Sequence, residues 1–332
     1  MNSSKTASGT PPSKSGEGSR EREPVIGRRL LIKRTATIAA MLPLANWPFR
    51  ALAAEQIDAE QPATLAEVPL AAKNKVTIER RSQVALIGIN RPYIQNRIDP
   101  EAFQALARAY YDYDRDPTLR AAILFGHGDH FSRGIDVDGF KAIIGTGKPI
   151  LSGSNVIDPL GNHKPRLTKP LIVAVHGDTW NMADELFLVA DIRLAAANTN
   201  FGQDENTHGR FPGGGSTIRF IREAGWGNAM RYILTGDHWS AQDAYRIGTV
   251  QEIADTPQAV LDRAVEIANK IAGCGPLGIK ASLASAHLAI DPAEEGALAQ
   301  LGEQYKALYH TKDFIEGRAA EAEGRKPVYH GN

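Results

Sequence analysis

A chain of 332 residues that is 42% apolar and 23% charged has an ordinary globular composition and is long enough for a large buried core, in one large domain or two smaller ones. Its 38 basic and 38 acidic residues cancel, but residues 1–54 carry nine Lys/Arg against three Glu. The remainder of the chain is therefore mildly acidic and has no electrostatic footprint for nucleic acid. Cys274 is the only cysteine, which excludes an intrachain disulfide.

Residues 1–26 are rich in Ser, Gly, Pro and charge, a composition that cannot form a packed core. Gly27-Arg28-Arg29-Leu30-Leu31-Ile32-Lys33 then resembles a twin-arginine export signal. The apolar run from Thr35 to Phe49 contains Pro43 and Asn46 and is too short to remain as a membrane-spanning anchor. Ala51-Leu52-Ala53 supplies a small-x-small cleavage pattern. The expectation is a leader and signal peptide over 1–54, cleaved near Ala53 or Ala54, and a periplasmic or secreted product.

A linker of Ala, Glu and Pro fills 55–74. Val76 to Arg80 alternates as a half-buried strand does, while Val84 to Ile89 reads as a buried one. Asp99-Pro100 starts a helix whose apolar face is Phe103, Leu106, Ala107 and Tyr110. Ala121 to Phe125, Leu171 to Val175 and Ile192 to Ala195 are further strands. Strands separated by helical stretches predict an α/β arrangement with crossovers. Between them, 141–168 is irregular and rich in Gly and Pro, as functional loops are. Ser240 caps a helix that Gly248 ends, and Val260, Leu261, Ala264, Val265, Ala268 and Ile271 form another helical stripe. From Pro276 onward the pattern is helical, which divides a core over 75–275 from a C-terminal region over 276–332.

Five segments carry a family resemblance. They are VALIGINRP over 84–92 with Asn96 soon after; Phe131-Ser132-Arg133-Gly134-Ile135-Asp136; Pro170 to Ala195 with HGDTWNMADELF; Phe201-Gly202-Gln203-Asp204-Glu205 followed by Gly209 and Pro212 to Gly215; and Asp313-Phe314-Ile315-Glu316-Gly317 with Arg325-Lys326-Pro327. Together they resemble the crotonase, or enoyl-CoA hydratase/isomerase, family. The resemblance implies an α/β, crotonase-like fold of repeated ββα units in two near-perpendicular sheets. It also implies a C-terminal helical region that builds a homotrimer or homohexamer. The implied substrate is an acyl-CoA thioester, with coenzyme A present only as part of that substrate and no separate cofactor.

Hydration of an enoyl thioester needs fixed donors for the charge that builds on the thioester oxygen, and an acid and a base for the protons. The resemblance puts the donors at the backbone N–H groups of Ile135 and Met182, and the acid/base pair at Glu185 and Glu205. Glu205 is expected in the loop after the next strand, as the acid at Cα, and Glu185 as its partner on water. Gly134, Asp136, Trp180 and Asn181 complete the expected substrate-binding set; Asp136 also suits a cap on its own turn. Asn181-Met182-Ala183 stands where the family has Gly-Gly-Gly, Arg133 where it has a small residue, and His176 where it has Asn. The bulkier residues predict a narrowed pocket or a shifted donor. His130, His176 and His208 lack a metal spacing, so no metal is expected. Gly213-Gly214-Gly215 lacks the Lys-Ser/Thr of a phosphate loop and reads as a structural turn.

Two other readings compete with a hydratase. One is a CoA-independent β-diketone hydrolase of the same superfamily, which the export signal and the Asn-Met-Ala change favour and the two glutamates disfavour. The other is a non-catalytic binding protein, which the intact glutamates oppose.

Overall fold

The computed structural model describes residues 74–141, 143 and 150–332. The expected leader and signal over 1–54 lie outside the described residues, as does the expected linker apart from Asn74.

Nine strands occur in chain order: β1 (Val76–Arg81), β2 (Val84–Ile89), β3 (Ala121–Gly126), β4 (Leu171–Val175), β5 (Asp178–Trp180), β6 (Ile192–Ala196), β7 (Asn200–Gly202), β8 (Trp239–Ser240) and β9 (Glu252–Ala254). The helices are α1 (Pro100–Arg115), α2 (Val137–Phe140), α3 (Met182–Val189), α4 (Ser216–Ala224), α5 (Trp226–Ile233), α6 (Ala241–Arg246), α7 (Pro257–Ala272), α8 (Pro276–Leu298), α9 (Leu301–Tyr309) and α10 (Lys312–Glu323). A six-stranded sheet has the order β1-β2-β3-β4-β6-β9, parallel except for the β1–β2 hairpin. A three-stranded sheet has the order β5-β7-β8. This is an α/β fold with helices gathered at the C-terminus.

The apolar runs of β2, β3 and β4 follow from burial on both faces. Successive side chains point to opposite sides of a sheet. Ala85, Ile87, Ile89, Ala122, Leu124, Leu171, Val173 and Val175 join a core with residues of α1 and α3. Val84, Leu86, Ala121, Ile123, Phe125, Ile172 and Ala174 join a second core under Val260, Leu261, Ala264 and Ala268 of α7. Each such Val, Leu or Ile contributes about 1.5–3 kcal/mol by leaving water. The alternation expected for Val76 to Arg80 is not realised: β1 is an edge strand with one pairing partner, and Ile78 is 58% exposed.

Local chemistry fixes the helix starts. Asp99 accepts from the Ala102 N–H at 2.8 Å at the start of α1, and Ser240 accepts from the Asp243 N–H at 3.1 Å at the start of α6. Gly248, at φ +90°, lies just past the end of α6. Helix α10 buttresses the segment after β7. Its Gly317 lies against the His208 carbonyl, and Gly209 lies against the Asp313 carbonyl. Among the described residues no helix is long and apolar enough to cross a membrane.

Candidate active site

Two turns carry the expected backbone donors. The first follows β3 and is pinned by Asn96, whose Nδ2 donates to the carbonyls of His127 at 2.7 Å and His130 at 2.8 Å. The Ser132 hydroxyl donates to the Asn96 carbonyl and accepts from the Gly134 N–H. The Ile98 N–H donates to the Gly134 carbonyl and the Asp136 N–H donates to the Ile98 carbonyl, each at 2.8 Å. In such a bridge the intervening Ile135 N–H points away from the partner segment.

The second turn joins β5 to α3. The Asn181 N–H donates to the Gly202 carbonyl at 2.7 Å, and Met182 opens the helix. The first N–H groups of a helix have no intrahelical acceptor, so Met182 presents a free donor at the positive end of the helix dipole. Gly134 brings the two turns together. Its φ of +79° suits glycine, and an added Cβ would lie 2.6 Å from the Trp180 carbonyl and 3.2 Å from the Met182 nitrogen.

Asn181 stands at φ 56°, ψ −122°, backbone that glycine adopts readily and other residues rarely do. The chain therefore keeps a glycine conformation here without the glycine. Such strain costs on the order of 1–3 kcal/mol. It is offset by the Asn181 side-chain oxygen accepting from the Asp204 N–H at 3.2 Å, which ties this turn to the segment bearing Glu205.

Glu185 lies in the first turn of α3 and is 3% exposed. Its Oε1 accepts from the Gly214 N–H at 2.6 Å and the Ser216 N–H at 3.4 Å. Gly213-Gly214-Gly215 thus does more than turn the chain: an added Cβ on Gly214 would collide with the Glu185 carboxylate. Arg219 fixes the same turn by donating to the Gly214 carbonyl at 3.2 Å and to Asn162 Oδ1 at 3.1 Å. Burial pushes the Glu185 carboxyl up to about 7; the Gly214 and Ser216 N–H groups and the Arg219 charge limit the rise.

Glu205 is 7% exposed and its Oε2 is buried without a partner. Its place differs from the loop after the next strand: two strands, β6 and β7, intervene, and Glu205 opens a 3-10 turn over Glu205–His208. Burial, then the Glu185 charge, then the Asp204 charge push its carboxyl well above the usual range, against the Arg210 charge. Two buried carboxyls that interact titrate as a pair. Glu185 is pushed up to about 7, and Glu205, where burial and the Glu185 charge act together, well above the usual carboxylate range, which favours its protonated form.

The remaining expected residues sit around this centre. Asp136 caps α2, accepting from the Gly139 N–H at 3.3 Å, and pairs with Arg91 at 3.3 Å, so its carboxylate is occupied within the protein. Trp180 is held between the Arg133 guanidinium and the His238 ring, each 4.6 Å away, and its Nε1 donates to the Asn200 carbonyl. A cavity of about 220 Å³ lined by Leu119, Lys169, Cys274 and Leu277 includes neither carboxylate and neither donor.

A family model described as "Enoyl-CoA hydratase/isomerase" matches residues 79–332. The chain belongs to this family. An enoyl-CoA hydratase of Mycobacterium tuberculosis is 32% identical over 257 residues, covering 76% of this chain and 95% of that protein. A short-chain-enoyl-CoA hydratase of Clostridium acetobutylicum is 32% identical over 256 residues, covering 76% of this chain and 96% of that protein. The crystal structure of a probable enoyl-CoA hydratase/isomerase from Mycobacterium abscessus is similar at 39% identity with a TM-score of 0.64, covering 78% of this chain and 99% of that one.

Several residues of this hydratase/isomerase-family site carry no clear signal in the sequence. Asp184, beside Glu185, is fully buried; burial pushes its carboxyl up to about 8, with the Gln203 amide 3.0 Å from its Oδ2. Arg210, Arg219 and Tyr305 come from other segments. Arg219 and Tyr305 stand in no local pattern, whereas Arg210 shows only as a charge between Gly209 and Phe211 in an otherwise apolar stretch.

Proposed function

We propose that the protein is a hydro-lyase that adds water across the 2,3 double bond of an acyl-CoA thioester. The observation that carries this reading is the buried pair Glu185 and Glu205, Glu185 held by the Gly214 and Ser216 N–H groups and the buried Oε2 of Glu205 without a partner, both carboxyls pushed up by burial. In this reading ionised Glu185 takes a proton from water while the water oxygen bonds to Cβ. The electron pair moves to the thioester oxygen, where the N–H groups of Ile135 and Met182 meet it. As the enolate collapses, Glu205 gives its proton to Cα. Transfer of the proton from Glu185 to Glu205 restores the pair, and the net change is addition of H and OH. Split carboxyl pKa values are what such a division of labour needs.

The test is turnover of crotonyl-CoA, followed by loss of the conjugated thioester absorbance and by mass of the 3-hydroxyacyl product. Conversion at an ordinary enzymatic rate, on the order of one turnover per second or faster, is expected. Cleavage of a β-diketone with no action on any enoyl thioester would overturn the reading.

We also infer that the leader directs export and that the 276–332 region assembles trimers or hexamers. The leader reading rests on the Arg28-Arg29 pair and the Ala51–Ala53 pattern. Support for assembly is the apolar surface that α8 leaves uncovered, with Leu277 81% and Leu288 78% exposed. Light scattering on protein recovered from the periplasm checks both; a single-subunit mass, or protein found only uncleaved in the cytoplasm, would count against the respective part.

A further inference from the structure

Arg210 is a buried cation without an ion pair or a side-chain hydrogen bond among the described residues. It follows Gly209, which ends the turn that Glu205 opens, and its N–H donates to the Glu205 carbonyl at 2.9 Å. The residue is 7% exposed, and its Nε is buried without a hydrogen bond. Among the described residues no carboxylate lies within ion-pairing distance of its guanidinium and no acceptor bonds it. The other buried arginines all have partners: Arg91 has Asp99 and Asp136, Arg193 has Glu223 and the Thr249 carbonyl, and Arg219 has Gly214 and Asn162. Burial of an unpaired charge is costly enough that proteins normally supply a partner.

A second free donor stands nearby. Tyr305 of α9 packs against Phe211, with ring centroids 5.9 Å apart, and against Gly213. Burial pushes its hydroxyl up to about 12, so it keeps its proton; the charges of Arg210, Glu205 and Glu185 all bear on it. No hydrogen bond satisfies that hydroxyl among the described residues. Guanidinium, phenol and the catalytic carboxyls therefore form one cluster, with two of its donors unused.

We propose that Arg210, with Tyr305, receives a carboxylate carried on the acyl part of the substrate. This rests on the hydratase reading, in which Glu205 serves Cα. A cation anchored to Glu205's own turn then addresses the acyl chain rather than the nucleotide. An alkyl tail would leave both donors unsatisfied, whereas a carboxylate matches the planar fork of a guanidinium and accepts from the phenol as well. Burial and the Glu185 charge favour the neutral form of Glu205, which weakens the repulsion that an anion would otherwise meet there.

The test compares two thioesters of one length, trans-2-hexenoyl-CoA and the six-carbon trans-2-enedioyl-CoA that carries a terminal carboxylate. Binding by calorimetry and turnover are both measured, on wild type and on Arg210→Leu. Wild type is expected to favour the carboxylated thioester by roughly tenfold to a hundredfold, the range for hydrogen bonds to charged groups. Arg210→Leu is expected to erase that preference, and Arg210→Lys to restore part of it. Equal binding of the two thioesters by wild type, or a preference that survives in Arg210→Leu, overturns the proposal. If Arg210→Leu does not fold, the wild-type comparison and Arg210→Lys still decide. Arg210-dependent binding of the carboxylated thioester without turnover upholds this proposal and overturns the hydratase reading. Turnover of both thioesters without preference does the reverse.

Discussion

Glu205→Gln is expected to lower turnover of crotonyl-CoA by at least about a hundredfold with substrate binding little changed, because general acid/base groups contribute roughly 10²–10⁴-fold. Gln keeps the size and most of the hydrogen bonding of Glu205 but has no proton to deliver to Cα. Glu185→Gln is expected to be severe as well, and the double variant little worse than either single one, since the pair acts as a unit on one water. The pH dependence comes from the two shifts. Turnover should rise with pH through about 7 as Glu185 ionises, and fall at higher pH as Glu205 loses its proton. Glu205→Gln should remove the alkaline limb from whatever activity remains.

Stability should move the other way. A carboxyl whose pKa is raised by folding binds more protons in the folded state than in the unfolded chain. Its contribution is therefore lost as pH climbs from the ordinary carboxylate range towards the raised value. Glu205→Gln, permanently neutral, is expected to melt higher than wild type at pH 7, an exchange of activity for stability. A variant that retains most of the wild-type activity would rule out the two-glutamate mechanism in this chain.

How much of the fold and the site is legible in the sequence depends on whether the cause is local. The buried strands β2, β3 and β4 announce themselves as apolar runs because both faces of the sheet are covered. Asp99 and Ser240 announce helix starts because a cap acts within three residues. The strands β5, β7 and β8, of three residues or fewer, leave no periodicity to read. Glu185 and Glu205 are legible through motif resemblance, yet the feature that separates their protonation states is not. That feature is the N–H groups of Gly214 and Ser216 on one carboxylate and no partner on the buried oxygen of the other. It arises where α3, the 3-10 turn and the glycine turn meet. Asn181 is the instructive case between these extremes. Its departure from glycine is visible in the sequence, but only the backbone shows that it holds the glycine conformation nonetheless and so leaves Met182 at the helix start.

The close approach of the two donor turns makes Gly134→Ala the second large effect. A methyl group there has no space: it would sit 2.6 Å from the Trp180 carbonyl and 3.2 Å from the Met182 nitrogen, and alanine also resists a φ of +79°. The cheapest relief is to part the turns, which moves the Ile135 and Met182 N–H groups away from a common oxygen. Loss of one oxyanion donor typically lowers the turnover rate by about 10²–10³, and that is the expected fall for crotonyl-CoA. KM should change much less, because the donors are placed to meet the enolate oxygen rather than the ground-state carbonyl. Backbone strain should add a stability loss of about 1–3 kcal/mol, read from denaturant unfolding. The two readouts separate the causes: Ser132→Ala, which removes a hydroxyl bonded to Asn96 and Gly134 but leaves φ free, should lower stability by about 1–3 kcal/mol with a smaller kinetic effect. Activity of Gly134→Ala within about threefold of wild type, a small fraction of what one lost donor removes, would mean that the Ile135 and Met182 donors do not work as a pair.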